Sequence, residues 1–97
     1  MKYQITFSPE ALDDYRSLSA YDRAAVKDAI NIHLLHQPAR TSRSRIKRLR
    51  DLRKPQYRLR IGDLRIFYDV IGSTVEILAV VDKRKAADWL RKCGEQS

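Results

Sequence analysis

The chain is short of the residues that build several common kinds of site. It has one cysteine, Cys93, so no internal disulfide can form. Its two histidines, His33 and His36, do not have the spacing with Cys93 of a metal-ligand set, which argues against a zinc centre. No apolar run approaches the ~20 residues that a helix needs to cross a bilayer. The opening stretch, Met1-Lys2-Tyr3-Gln4-Ile5-Thr6-Phe7, alternates and lacks the apolar core of a signal peptide. Repeats and linkers are absent too. At 97 residues, one domain covering residues 1–97 is expected, cytoplasmic and without metal or cofactor.

Acidic side chains are missing from one place in particular. Residues 1–39 hold four basic and five acidic side chains, and residues 66–97 hold five of each. Residues 40–65 hold eleven basic and only two acidic. The whole net charge of +8 therefore resides in that middle segment. Such a patch suits a polyanion, most often nucleic acid. An acidic protein would also satisfy it, and a membrane surface less well.

Within that segment, residues 56–70 read as a β-hairpin. Alternation is strict on both sides of Gly62-Asp63, a two-residue loop of the tight-turn kind. Counting outward pairs Ile61 with Leu64, Arg60 with Arg65, Leu59 with Ile66, Arg58 with Phe67 and Tyr57 with Tyr68. Side chains alternate across a strand, so Tyr57, Leu59, Ile61, Leu64, Ile66 and Tyr68 share one face. Arg58, Arg60, Arg65 and Phe67 share the other. Like charges directly opposite each other destabilise a sheet. Either these arginines splay into water, or an anion sits on them. Arginine suits the second role, because its planar fork binds phosphate oxygens and keeps its charge.

The rest of the chain surrounds this hairpin. Residues 2–7 form a strand. Ser8-Pro9-Glu10 opens a helix running to about Leu18, and Ser19 caps a second from about Tyr21 to His36. Ala25, Val26, Ala29, Ile30, His33 and Leu34 form the apolar stripe of the second helix. His33 and His36 read as helix-surface or core-edge residues rather than catalytic bases. Residues 37–45 form a polar, basic loop, expected to be mobile, and residues 46–50 a short strand. A second turn at Gly72-Ser73 leads into a strand from Thr74 to Val81, apolar on both faces and so central. The same counting sets Ile66 against Ala79, Arg65 against Val80 and Asp69 against Glu76. Asp69 or Glu76 could act as a base, or could tie down Arg65 or another basic side chain. Asp82 caps a last helix, residues 83–93, with Ala86, Trp89, Leu90 and Cys93 on one stripe. The expected class is α+β, in the order β-α-α-β-β-β-β-α. The N-terminal strand and helical hairpin cover one face of a small antiparallel sheet, and the arginine face is left open.

Residues 5–11, 57–68 and 75–81 resemble the RelE/ParE superfamily of toxins from type II toxin–antitoxin pairs. The resemblance covers nearly the whole chain. It implies a RelE-like fold, a cognate antitoxin as partner, and, in the RelE branch, metal-independent cleavage of mRNA at the ribosomal A site. There the 2′-hydroxyl attacks the adjacent phosphate. By position Arg58 and Arg60 match the basic pair of that branch's catalytic strand, Arg65 the arginine of the next strand, and Arg84 the arginine after the last strand. Lys47, Arg48, Arg50, Arg53, Lys54, Phe67, Lys83 and Trp89 are then the expected RNA contacts. Many active relatives carry a Tyr near the C-terminus; here Trp89 falls near that place and cannot transfer a proton. Arg60 stands where relatives use Lys as a base, and arginine is effectively always protonated. A ParE-like toxin acting on gyrase, or a catalytically weak RNA- or antitoxin-binding module, are the other readings.

Overall fold

The computed structural model describes residues 2–96; the expected domain limits at positions 1 and 97 lie outside them. The elements are β1 (Gln4–Phe7), α1 (Pro9–Arg16), α2 (Ala20–Ala29), a π-helical turn (Ile30–Leu34), β2 (Ile46–Arg48), β3 (Leu52–Lys54), β4 (Tyr57–Ile61), β5 (Leu64–Ile71), β6 (Thr74–Asp82), α3 (Lys83–Cys93) and β7 (Glu95–Gln96). Five strands form one sheet in the order β1-β6-β5-β4-β2, and β3 pairs with β7 in a separate ribbon. The expected order of elements holds, but the N-terminal strand does not cover a face. β1 is an edge strand of the sheet, paired in parallel with β6, so the sheet is mixed and the helical hairpin alone forms the covering layer of the core face. The β3–β7 ribbon is an addition, formed by segments far apart in the chain.

Local chemistry accounts for the helix starts. The Ser8 hydroxyl accepts from Ala11 N at 3.1 Å with Pro9 just inside, and the Ser19 hydroxyl accepts from Asp22 N at 3.1 Å. Asp82 caps α3 through Arg84 N at 2.9 Å. The helix ends differ from expectation. α1 stops at Arg16 instead of Leu18, and α2 gives way after Ala29 to the π-turn instead of running to His36. In that turn Leu35 N donates to Ile30 O, and both Ile30 and Leu34 are buried. Both apolar side chains, four residues apart, face the core.

The β4–β5 hairpin has the counted register at every pair, from Tyr57–Tyr68 to Ile61–Leu64. Gly62 takes φ of 53° at the first turn position and Gly72 takes 59°, values that L side chains rarely adopt. Leu59, Ile66 and Tyr68 are fully buried beneath Val26, Ala29, Ile30 and Leu34. Each such aliphatic burial is worth about 1.5–3 kcal/mol. Tyr68 is tolerated inside because its hydroxyl donates to Pro38 O at 2.6 Å.

The β5–β6 register holds near its turn and then breaks. Asp69 faces Glu76 and Tyr68 faces Ile77, as counted. A bulge then intervenes, so Phe67 faces Ala79, Ile66 faces Val80 and Arg65 faces Val81. Ile66 therefore does not oppose Ala79, nor Arg65 Val80. Val80 is consequently in the core with Ile66, while Ala79 lies beside Phe67 on the other face. α1 holds the bulge from outside. Beyond the last β1–β6 pair, Ser8 donates to Leu78 O at 3.2 Å and the Asp14 carboxylate accepts from Val80 N at 3.0 Å.

The arginine face is also less open than expected. α3 lies over part of it, and Trp89 stacks on Phe67 with ring centroids 4.9 Å apart and planes 6° from parallel. Phe67 is fully buried. Within the 37–45 loop the Ser42 hydroxyl accepts from Arg45 N and Ile46 N at 3.0 and 3.1 Å.

Burial pushes the Asp14 carboxyl above the ordinary carboxylate range, only partly opposed by the bond from Val80. The folded state then holds the proton more tightly than the unfolded one, so stability falls as pH rises from the unfolded value through the folded one. Asp14→Asn keeps an acceptor and removes that loss; at pH 7 it is expected to match or exceed the wild type in urea denaturation. Asp14→Ala orphans Val80 N and is expected to lose about 1–3 kcal/mol.

Candidate functional site

The sheet brings basic side chains from three strands onto one face. Lys47 on β2 faces Arg58 on β4, which faces Phe67; the next row sets Arg60 against Arg65. Lys47 thus joins the arginines as their cross-strand neighbour, a placement that needs the β2–β4 pairing and is invisible to local counting.

Arg58 is the centre of this group. Its Nε is buried and has no hydrogen-bond partner, the only buried side-chain nitrogen or oxygen of that kind among the described residues. Burial pushes the pKa of its guanidinium down, and the charges of Arg65 and then Arg60 push it further down. Arg65 is anchored: its Nη1 donates to Gly62 O and Leu64 O, both at 2.9 Å. Arg60 is exposed, with no ion pair or side-chain hydrogen bond among the described residues. Three guanidinium groups therefore converge without a compensating carboxylate.

Nearby acids are engaged elsewhere. Asp69 accepts from Gln56 N at 2.8 Å, and Gln56 Oε1 accepts from Val70 N at 2.9 Å, which locks the entry to β4 against β5. Burial is the main reason the Asp69 carboxyl lies above the ordinary range. Glu76 pairs with Lys54 at 3.9 Å. Of the two acids expected to tie down Arg65 or another basic side chain, Glu76 does hold a lysine, while the side chain of Arg65 bonds backbone carbonyls instead. Asp63 pairs with Lys83 at 3.2 Å, and Asp82 with Arg84 at 3.0 Å. Hydrogen bonds from the backbone and side chain of Arg84 hold the Asp82 carboxyl below its usual range.

The other expected contacts divide. Arg84 emerges beside the Gly62-Asp63 turn, where its partner is Asp82. Arg48 faces away from Arg58: it opposes Tyr57, lies 5.1 Å from that ring's centroid and donates to Gln56 O at 2.8 Å. Arg50 is exposed and lines a cleft with Lys47 and Arg48. Arg53 pairs with Glu95 at 2.5 Å, and Lys54 with Glu76, so both belong to the β3–β7 side. Phe67, expected to meet RNA, is buried beneath Trp89 and supports the face from below; half-buried Trp89 spends one ring face on it. His33 lies in a separate cleft with Arg40 and Arg45, a grouping that sequence reading missed. The basic run of residues 40–45 was the available signal.

A cluster of this kind can do two things chemically. It can bind a phosphate by forked hydrogen bonds, and it can stabilise negative charge that grows on that phosphate. It offers no side chain able to take a proton, since arginine stays protonated.

The family model described as ParE toxin of type II toxin-antitoxin system, parDE, matches residues 5–87. No curated protein matches the chain. Among solved structures, a chain of the toxin–antitoxin complex RelBE2 from Mycobacterium tuberculosis is 28% identical, with a TM-score of 0.67, covering 84% of this chain and 99% of that one. A mutant of E. coli toxin RelE in the free state is 20% identical, with a TM-score of 0.62 and coverage of 96% and 99%. The archaeal RelE-RelB complex from Pyrococcus horikoshii contributes a chain 20% identical, at a TM-score of 0.61 and coverage of 86% and 97%. The last two likenesses speak for the fold alone.

Removing the Arg58 guanidinium tests whether the cluster awaits an anion. Arg58→Met is expected to raise stability by about 1 kcal/mol in low-salt chloride, because an unsatisfied buried donor costs about that much or more. Thermal melts in phosphate and in chloride at equal ionic strength should show extra stabilisation by phosphate in the wild type. The variant should lose that extra stabilisation.

Proposed function

This chain belongs to the RelE/ParE superfamily of toxins of type II toxin–antitoxin systems, and from that premise we propose that it is an endoribonuclease cutting mRNA in the ribosomal A site. The observation that carries this reading is the unpartnered Arg58 Nε, set among Arg60, Arg65 and Lys47. A scissile phosphate supplies what that group lacks.

In this reading Arg58 and Arg65 hold the phosphate, and Arg60 reaches it from the solvent side. The 2′-oxygen of the preceding ribose bonds to phosphorus and its proton passes to water. The bond to the 5′-oxygen breaks, and that oxygen takes a proton from water. A 2′,3′-cyclic phosphate and a 5′-hydroxyl end result. Negative charge grows on the non-bridging oxygens as attack proceeds, and fixed guanidinium groups meet it without reorganisation. Arg84, Lys83 and Trp89 border the same end or cover of the sheet and contact flanking RNA. Lys47, Arg48 and Arg50 contact ribosomal RNA. Arg53 and Lys54, already paired with Glu95 and Glu76, contribute least. The protein acts in the cytoplasm, without a cofactor, and a cognate antitoxin with an acidic or amphipathic segment covers the basic face.

Specific observations favour a second reading, a ParE-like toxin that binds gyrase and cuts no RNA. The matching family model is the ParE one, no tyrosine follows Arg84, and the Arg84 guanidinium is paired with the Asp82 carboxylate.

Expression of wild type and Arg65→Ala, with mRNA ends and DNA supercoiling mapped together, separates the two. Codon-periodic mRNA ends that fall about 100-fold or more in the variant are expected, the usual loss when one charge-stabilising donor is removed. Gyrase-linked DNA breaks with intact mRNA would overturn the nuclease.

A further inference from the structure

We propose that the cleft between the end of the α2 helical segment and β2 is a second phosphate subsite, which carries the RNA backbone around the β2 edge from the arginine face. This rests on the RNA-binding reading above and extends it to residues outside the cluster.

The cleft has a volume of about 440 Å³ and includes His33, Gln37, Arg40, Thr41, Ser44 and Arg45 in its wall. A second cleft of about 420 Å³, walled by Lys47, Arg48 and Arg50, shares Thr41, Ser42 and Ile46 with it. Every ionisable side chain lining either cleft is basic. Lys47 belongs to the second cleft and also faces Arg58 across the sheet, so this one side chain links the clefts to the arginine face.

The wall is shaped before any ligand arrives. Ser42 closes the loop on itself: its N donates to Ile46 O at 2.9 Å, while its hydroxyl accepts from Arg45 N and Ile46 N. Arg40 Nη1 donates to Gln37 Oε1 at 3.0 Å, which orients one edge of the guanidinium. Burial and then the charge of Arg45 push the pKa of His33 down, as expected for an imidazole beside a cation with no acid nearby.

The chemistry favours a sugar–phosphate backbone over bases or peptide. His33 is the only aromatic ring in the wall, so bases have little to stack on. A protein partner would need apolar anchors. The cleft offers only Ile32 and Ile46, and Ile46 is buried in the core. Guanidinium forks and hydroxyls together are donors for phosphate oxygens.

The test uses 2′-O-methyl RNA, which cannot be cut, as a trinucleotide and as a strand of about 12 nucleotides, within the range of single-strand sites. Anisotropy titrations over a series of salt concentrations compare the wild-type chain with Arg40→Ala/Arg45→Ala. For the longer strand, affinity should fall roughly tenfold, and the log–log salt slope should shrink by about 1.4, at ~0.7 per phosphate contact. The trinucleotide, held at the arginine face, should bind both proteins alike. Arg40→Lys/Arg45→Lys keeps the charge and should restore the slope, which separates lost contacts from lost fold. Equal affinity and slope for the long strand in wild type and alanine variant would overturn the subsite. So would a variant that loses affinity for polyglutamate but not for RNA, since the cleft would then serve an acidic protein. A protein that binds RNA as described but cuts none in cells would leave the subsite standing and remove only the nuclease reading.

Discussion

Three guanidinium groups crowded on one side of a single β-hairpin are the constraint around which this molecule is arranged. Their mutual repulsion works against the pairing of β4 with β5. The opposing face supplies the compensation: Leu59, Ile66 and Tyr68 are fully buried beneath the helical hairpin, and their burial outweighs the electrostatic cost. The strand alternation that sends these side chains inward sends Arg58, Arg60 and Arg65 outward. Core and site are the two faces of one ribbon.

The acids complete the arrangement by being absent from the cluster. Asp69, which shares the arginine side of β5, turns its carboxylate to Gln56 N. Glu76, Asp63 and Asp82 each hold a cation of their own at the margins. These exposed pairs contribute little to stability. Their effect is positional, because they leave Arg58 with cationic neighbours only. A surface so divided repels other cations and attracts a polyanion.

The bulge in β6 decides how the two layers meet. It turns Val80 into the core and sets Ala79 and Phe67 on the opposite side, where α3 lays Trp89 over Phe67. α1 holds the bulge through Ser8 and Asp14. The fold therefore has a second, smaller apolar contact on the arginine side, and the site occupies the part of that face that α3 leaves uncovered.

Sequence alone determined the main helices and sheet strands, their order and the register of the central hairpin, because a two-residue turn and strict alternation are local constraints that leave one solution. It also concentrated the positive charge where the candidate site lies. Tertiary structure decided the rest. β6 is apolar on both faces, so its sequence carries no phase and cannot reveal a bulge. Lys47 meets Arg58, and Phe67 disappears beneath Trp89, only because strands and helix distant in the chain come together. The cleft of His33, Arg40 and Arg45 likewise exists only once a helix end and an edge strand are packed side by side, which no local spacing encodes.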